Sequence, residues 1–141
     1  MMRKCDRKAL GKYVRWIANE MELRDWTFNV VVGRPDSPLN PDGHEWGASC
    51  GPIPGRKAAT LTFAPWLRDG SREDLRQCVV HELTHCHFFG RWDTDRRDTL
   101  AQMGQGAYDV WIAGVERHME YGVDAMADAL AKNLPLIEWP D

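Results

Sequence analysis

VVHELTH, residues 79–85, is the stretch that determines how this chain is interpreted, because it places two histidines four residues apart. It contains no proline or glycine, and two valines together with Leu83 supply an apolar side. If the stretch is helical, the imidazoles of His81 and His85 project from the same face, one turn apart. The sequence therefore predicts a half-buried helix that carries a histidine pair.

The helix around this stretch is predicted to begin at Ser71 and to end at about Phe89. The Ser71 hydroxyl can cap the first turn, and Asp74 follows three residues later, as in a capping box. Gly90 lies where helices commonly stop, and the charged segment after it is interpreted as a solvated loop. Beyond that loop, the apolar pattern predicts one further helix or a helix pair over residues 97–133.

Upstream of this region the pattern predicts one helix and three strands. Apolar residues recur at helical spacing over residues 4–24. Residues 26–32 are rich in aromatic and β-branched side chains, and residues 58–64 alternate, so both are predicted strands. Residues 44–50 form a weaker strand candidate. Residues 33–43 are dense in Pro, Gly, Asp and Asn, which is typical of a loop.

The order of elements predicts one α+β domain over residues 1–141, with helices packed against a small three-stranded antiparallel sheet. Its 141 residues, 43% hydrophobic and 28% charged, are typical of a globular chain with a core. A formal net charge of −3 gives no electrostatic reason to expect nucleic acid or a membrane as partner. With no secretory signal pattern and four cysteines interpreted as free thiols, a cytoplasmic location is predicted.

The histidine pair has the spacing of a metal site. Zinc prefers tetrahedral coordination by nitrogen, oxygen and sulfur ligands, and His81 and His85 can share one ion. Glu82 is rotated by about 100° around the helix from His81, so it can reach a zinc-bound water rather than the ion itself. Since zinc lowers the pKa of that water and a nearby carboxylate can take its proton, Glu82 is the predicted catalytic base.

A third protein ligand is needed if one coordination position is to remain for water. Among the acidic residues of the last helix, Glu120 is preferred, because apolar residues follow it at three, seven and ten positions and form an inward-facing stripe. Glu116, one turn earlier, is the alternative. Asp124, one turn later, can accept a hydrogen bond from the second ring nitrogen of a ligand histidine.

Three other residues near the motif are given no role at the metal. His87 is two positions past His85 and points to another face, and His44 lies near a loop and a strand start. Cys86 is interpreted as a core residue, because it faces away from the ligand row.

The His-Glu-x-x-His pattern of residues 81–85 resembles that of the zincin metallopeptidases, and the later glutamate makes the nearer likeness one to the gluzincins. Residues 120–124, EYGVD, resemble the Glu-x-x-x-Asp second motif of thermolysin-like gluzincins. The layout of the chain is similar to that of small predicted metallopeptidases of phages and prophages. This resemblance implies a minimal zincin-like fold in which Glu120 binds zinc and Asp124 supports a histidine.

Together these features predict a zinc-dependent peptide-bond hydrolase with peptide or protein substrates. In zincins an extended substrate pairs with the edge strand beside the cleft, and residues 58–64 are predicted to form that edge. The alternative is a catalytically silent metal-binding module with an interaction or regulatory role. A protease acting on DNA-bound proteins is disfavoured, because the net charge is −3 and no basic tail is present.

Overall fold

The computed structural model describes residues 2–35 and 47–141. The described chain is α+β, as predicted, although the predicted strand at residues 44–50 and His44 fall partly or wholly outside the described residues. The elements are α1 (Lys4–Glu20), β1 (Thr27–Val32), β2 (Ala48–Pro52), β3 (Ala58–Phe63), a short 3-10 helix (Pro65–Arg68), α2 (Arg72–Leu100) and α3 (Gln105–Ala131).

The three strands form a mixed sheet, so the prediction of an antiparallel sheet was wrong. Their order is β1-β3-β2, with β1 parallel to β3 and β2 antiparallel to β3. Val32 at the end of β1 and Ala48 at the start of β2 both pair with Phe63. Both edge strands therefore meet β3 at Phe63, and β3 lies between two strands that precede it in sequence.

This order also corrects the predicted edge strand. Residues 58–64 were expected to form the edge beside the cleft, but β3 is the central strand. The edges among the described residues are β1 and β2. Of these two, β2 is the edge that packs along α2, so it is the strand that borders the histidine-bearing helix.

The core lies between the sheet and the helices. Along β3 the burial alternates, with Ala59, Leu61 and Phe63 directed into the core, as the pleat of a strand requires. The helices α1 and α2 contribute residues at helical spacing to the same core, and these include Leu10, Val14, Ile17, Leu75, Val79 and Leu83. One face of α2 is thereby fixed against the sheet.

The helix α2 begins as predicted and ends later than predicted. The Ser71 hydroxyl accepts a hydrogen bond of 3.0 Å from the backbone N–H of Asp74, which caps the first turn. The helix then runs through Gly90 to Leu100, so the predicted stop at Gly90 and the loop after it were wrong. The chain turns over residues 101–104 before α3 begins at Gln105.

The helices α2 and α3 pack along each other, and α3 thereby lies against the face of α2 that carries His81 and His85. Val123, Ala127 and Ala131 of α3 are buried, whereas Leu130 is 40% exposed. The buried face of α3 thus continues through Ala131, and the predicted Leu130 lies beside it. A helix with 3.6 residues per turn allows buried positions to follow one another at intervals of four. Within residues 2–35 and 47–141, no helix has the length and apolar content needed to cross a bilayer.

Candidate metal centre

The helix α2 holds the histidine pair rigidly, because the rest of its central turns lies in the core. Val79, Val80 and Leu83 are fully buried, and the side chains of His81 and His85 are 19% and 18% exposed. The two histidines therefore sit at the boundary between core and solvent, on consecutive turns of one anchored helix.

Glu120 of α3 contacts both histidines and completes a cluster of three residues. His81 Nε2 and His85 Nε2 are 3.2 Å apart. Glu120 Oε2 lies 3.3 Å from His81 Nε2, and Glu120 Oε1 lies 3.2 Å from His85 Nε2. These three residues are a group whose ligand atoms converge closely enough to hold a metal ion.

Asp124 contacts the ring nitrogen of His81 that faces away from this cluster. Its Oδ1 lies 3.0 Å from His81 Nδ1, and a carboxylate can only accept there, which favours the tautomer with the proton on Nδ1. The lone pair of His81 Nε2 then points towards Glu120 and His85. Lone pairs that converge on one point repel each other unless a cation or a proton lies between them, so the geometry favours a positive charge at this point.

The protonation equilibria of the three residues reflect the same convergence. Burial opposes protonation of His81, but its hydrogen bond to Glu120 and the nearby carboxylates outweigh burial and raise its pKa. Burial lowers the pKa of His85. Burial opposes ionisation of Glu120, yet its hydrogen bond to His81 and the charges of both histidines lower its pKa. His81 and Glu120 thus each favour their charged form, as expected of two groups of opposite charge in close contact.

Glu82 lies on a different face of α2 and is more deeply buried than the ligands. It is 7% exposed, and burial raises its pKa to about 7, with the charge of Glu120 adding to this effect and His81 opposing it. The hydrogen bond with Cys86 and burial raise the pKa of Cys50 on β2, burial raises the pKa of Cys78 on α2, and the charge of Glu82 adds to both shifts. Glu82 also lies one turn before Cys86 on the same face of α2, and Cys86 contacts Cys50 of β2, so Glu82 is on the side of α2 that faces the edge strand β2.

Glu116, the alternative third ligand, is not part of the three-residue cluster among the described residues. Burial and the charge of Glu120 raise its pKa, which indicates that it lies near the cluster without joining it. Of the two glutamates, Glu120 is the one that contacts both histidines.

Four polar side chains of α3 are of types that can stabilise an oxyanion, namely Tyr108, Arg117, His118 and Tyr121. Tyr108 is buried beside Trp111 at the start of α3, and twelve residues of helix place it about 18 Å along the axis from Glu120. Tyr121 is 75% exposed. Arg117 and His118 are exposed residues of α3, so no residue is assigned to this role.

A cavity of about 630 Å³ lies between α2 and α3, one turn beyond the histidine pair. Its walls are almost entirely apolar and include Phe88, Trp92, Val110, Trp111, His118 and Met119. Sequence reasoning missed it, although Phe88 and Trp92 follow His85 at three and seven positions and so share its helix face.

Comparison with known proteins identifies no relative of this chain. Protein-family models, curated proteins and solved structures were each searched, and none matches the chain. Support for a function therefore comes from the residues of the cluster and from their surroundings.

Proposed function

We propose that this protein is a zinc-dependent peptide-bond hydrolase in which His81, His85 and Glu120 hold the ion and Glu82 is the general base. The observation that supports this most strongly is the convergence of the His81 and His85 Nε2 atoms, 3.2 Å apart, on the Glu120 carboxylate, whose Oε2 and Oε1 lie 3.3 Å and 3.2 Å from them, respectively. Zinc–nitrogen bonds of 2.0–2.1 Å in a tetrahedron place ligand atoms about 3.3–3.4 Å apart. Three protein ligands also leave one position open, as catalytic zinc sites do.

A zinc ion in such a site polarises a substrate carbonyl and makes a bound water more acidic. Asp124 fixes the tautomer of His81, so that Nε2 stays available as a ligand. Glu82 has a pKa of about 7 in the metal-free chain, and a nearby cation lowers that value because it favours the carboxylate. Glu82 can then accept a proton from the attacking water and donate it to the leaving amine.

The position of β2 supports a peptide as the substrate. Within the described residues β2 is paired on one side only, and it packs along α2 on the side that Glu82 faces. An extended peptide can add to such an edge through backbone hydrogen bonds. We therefore assign β2, in place of the strand first expected, as the candidate substrate-pairing edge.

Metal content is the first test of this proposal. We expect elemental analysis to find about one zinc ion per chain, with His85→Ala and Glu120→Gln each losing it, because catalytic zinc needs three protein ligands. Glu116→Gln is the matched control, one turn from Glu120 with the same change of charge, and it should retain zinc. Zinc lost in Glu116→Gln and kept in Glu120→Gln would reverse the ligand assignment.

Hydrolysis is tested with the same preparations on a fluorogenic peptide library. Cleavage that stops with a chelator and returns with zinc supports the hydrolase. Bound zinc without cleavage of any peptide would contradict it and would favour the catalytically silent metal-binding module instead.

Asp124 provides a separate prediction about metal affinity. Replacing Asp124 with asparagine removes the carboxylate that holds His81 Nδ1 at 3.0 Å. We expect zinc affinity to fall by about 10–100-fold, the usual cost of losing such a supporting group. Competition with a fluorescent chelator measures this change. Asp109→Asn, an exposed position near the start of α3, should leave the affinity unchanged, and equal losses in both variants would contradict the assignment.

A further inference from the structure

Cys50 of β2 and Cys86 of α2 face each other across the contact between strand and helix. Their Sγ atoms are 3.9 Å apart, and both residues are free thiols. Cys86 is 3% exposed and directly follows His85, whereas Cys50 is half-buried on the edge strand. The fold thus brings together two thiols that are 36 positions apart in sequence.

This thiol pair belongs to the contact between β2 and α2. Just before β2, a Cβ on Gly47 would stand 3.0 Å from the Sγ of Cys78, which lies earlier on α2. Cys78, Glu82 and Cys86 are four residues apart and therefore share one helix face. The Cys50–Cys86 contact is thus one turn beyond the candidate catalytic base.

We propose that Cys50 and Cys86 form a reversible disulfide, and that this disulfide slows hydrolysis at the adjacent centre. The effect on hydrolysis rests on the proposed function, whereas formation of the disulfide does not. A disulfide requires the sulfur atoms to approach to about 2.05 Å. Rotation of the two side chains and a small approach of β2 to α2 must supply the difference from 3.9 Å.

A small disulfide such as oxidised glutathione is a sufficient oxidant. The more accessible Cys50 exchanges first, forming a sulfur–sulfur bond with one glutathione while the other leaves as a thiol with the proton. The sulfur of Cys86 then bonds to that of Cys50 and displaces the second glutathione as a thiol. Two protein thiols lose two electrons, and one glutathione disulfide is reduced to two glutathione thiols.

The surroundings of the pair slow its oxidation. The hydrogen bond with Cys86 and burial raise the pKa of Cys50 far above its usual range. Since the thiolate is the reacting form, we expect the exchange to need prolonged incubation with the oxidant.

Oxidation is expected to lower the hydrolysis rate because it moves groups that must be placed accurately. The crosslink draws the edge strand towards α2 beside Glu82 and next to His85. A displacement of about 1 Å at a catalytic group can cost about a hundredfold in rate. We expect a decrease on the order of tenfold or more, fully restored by dithiothreitol.

The disulfide is tested in a chain that carries Cys5→Ser and Cys78→Ser, so that Cys50 and Cys86 are the remaining thiols. The matched control carries Cys50→Ser in addition. Both are incubated without metal in oxidised glutathione, and intact mass and denatured thiol content are measured. We expect both thiols to disappear without a glutathione adduct in the test chain, and the control to keep its thiol or carry one adduct.

Peptide mapping of the oxidised wild-type chain provides an independent measurement, with a peptide linked through Cys50 and Cys86 as the expected product. Two surviving thiols, a stable glutathione adduct on Cys50, or a linkage that involves Cys5 or Cys78 would overturn the disulfide. A disulfide that leaves hydrolysis unchanged overturns its regulatory effect. No hydrolysis in the reduced chain overturns the proposed function together with that effect, while the mass measurement still decides the disulfide.

Discussion

Replacing Glu82 with glutamine is expected to lower kcat/KM for peptide hydrolysis by about 10²–10⁴-fold, the usual contribution of a positioned general base. Glutamine has nearly the same size and shape, but its amide cannot accept a proton from water at neutral pH. His81, His85 and Glu120 are unchanged by the substitution. We therefore expect the variant to bind zinc as the wild type does, so that loss of rate and loss of metal are separated.

The matched control for this substitution is Glu73→Gln, an exposed position in the first turn of the same helix. It removes the same charge from α2 far from the metal centre and should keep the wild-type rate. Steady-state kinetics on one fluorogenic peptide, with zinc content measured on the same samples, gives the comparison. Hydrolysis that survives in Glu82→Gln at full zinc content would show that another group activates the water.

The parts of the fold that follow from local physical chemistry could be predicted from the sequence. Ser71 caps α2 because a serine hydroxyl can satisfy a free backbone N–H in the first turn. The alternation of β3 and the helical spacing in α1 reflect burial on one side of each element. These signals need only neighbours within a few residues.

The order of strands could not be obtained in this way. Sequence reasoning placed residues 58–64 at the edge of the sheet, whereas β3 lies between β1 and β2. The strand order depends on pairing between segments that are distant in sequence, and no local pattern within a strand records that pairing. The candidate substrate-pairing edge was therefore first placed on β3, which is the central strand.

The end of α2 shows how packing overrides a local signal. A glycine within a helix costs roughly 1 kcal/mol relative to alanine, and Gly90 was therefore taken as a stop. Phe89 and Asp93 are both buried, four residues apart on the same helix face, and Asp93 is paired with Arg96 and Arg97. Burial and ion pairing of the following turn stabilise the helix beyond the glycine.

The three residues of the candidate cluster could be predicted from the sequence, but their contacts could not. Spacing alone placed His81 and His85 together, and the periodicity of α3 favoured Glu120 over Glu116. Neither signal could reveal that Glu120 contacts both imidazoles. The Cys50–Cys86 contact had no sequence signal, because the two thiols belong to elements that are brought together only by the tertiary fold.

The same Glu82→Gln substitution is expected to stabilise the metal-free chain at alkaline pH. In the unfolded chain the Glu82 carboxyl has its ordinary pKa of 4.5, whereas burial in the folded chain raises that pKa to about 7. Between these values the folded state binds more protons, so the free energy of unfolding falls as pH rises and the full penalty is present above about pH 7. The shift corresponds to about 3 kcal/mol.

Glutamine carries no charge at any pH, so the variant escapes this penalty. Denaturant unfolding of chelator-treated protein should show Glu82→Gln more stable than wild type by about 3 kcal/mol at about pH 8, and nearly equal at about pH 4, below both pKa values. Glu73→Gln, exposed at the start of α2, should differ from wild type by less than about 1 kcal/mol throughout. A pH-independent difference for Glu82→Gln would mean that the carboxyl ionises normally in the folded chain. The expected result would instead show that the buried Glu82 carboxylate destabilises the folded chain. The burial that raises the pKa of this proposed general base towards neutrality therefore also costs stability.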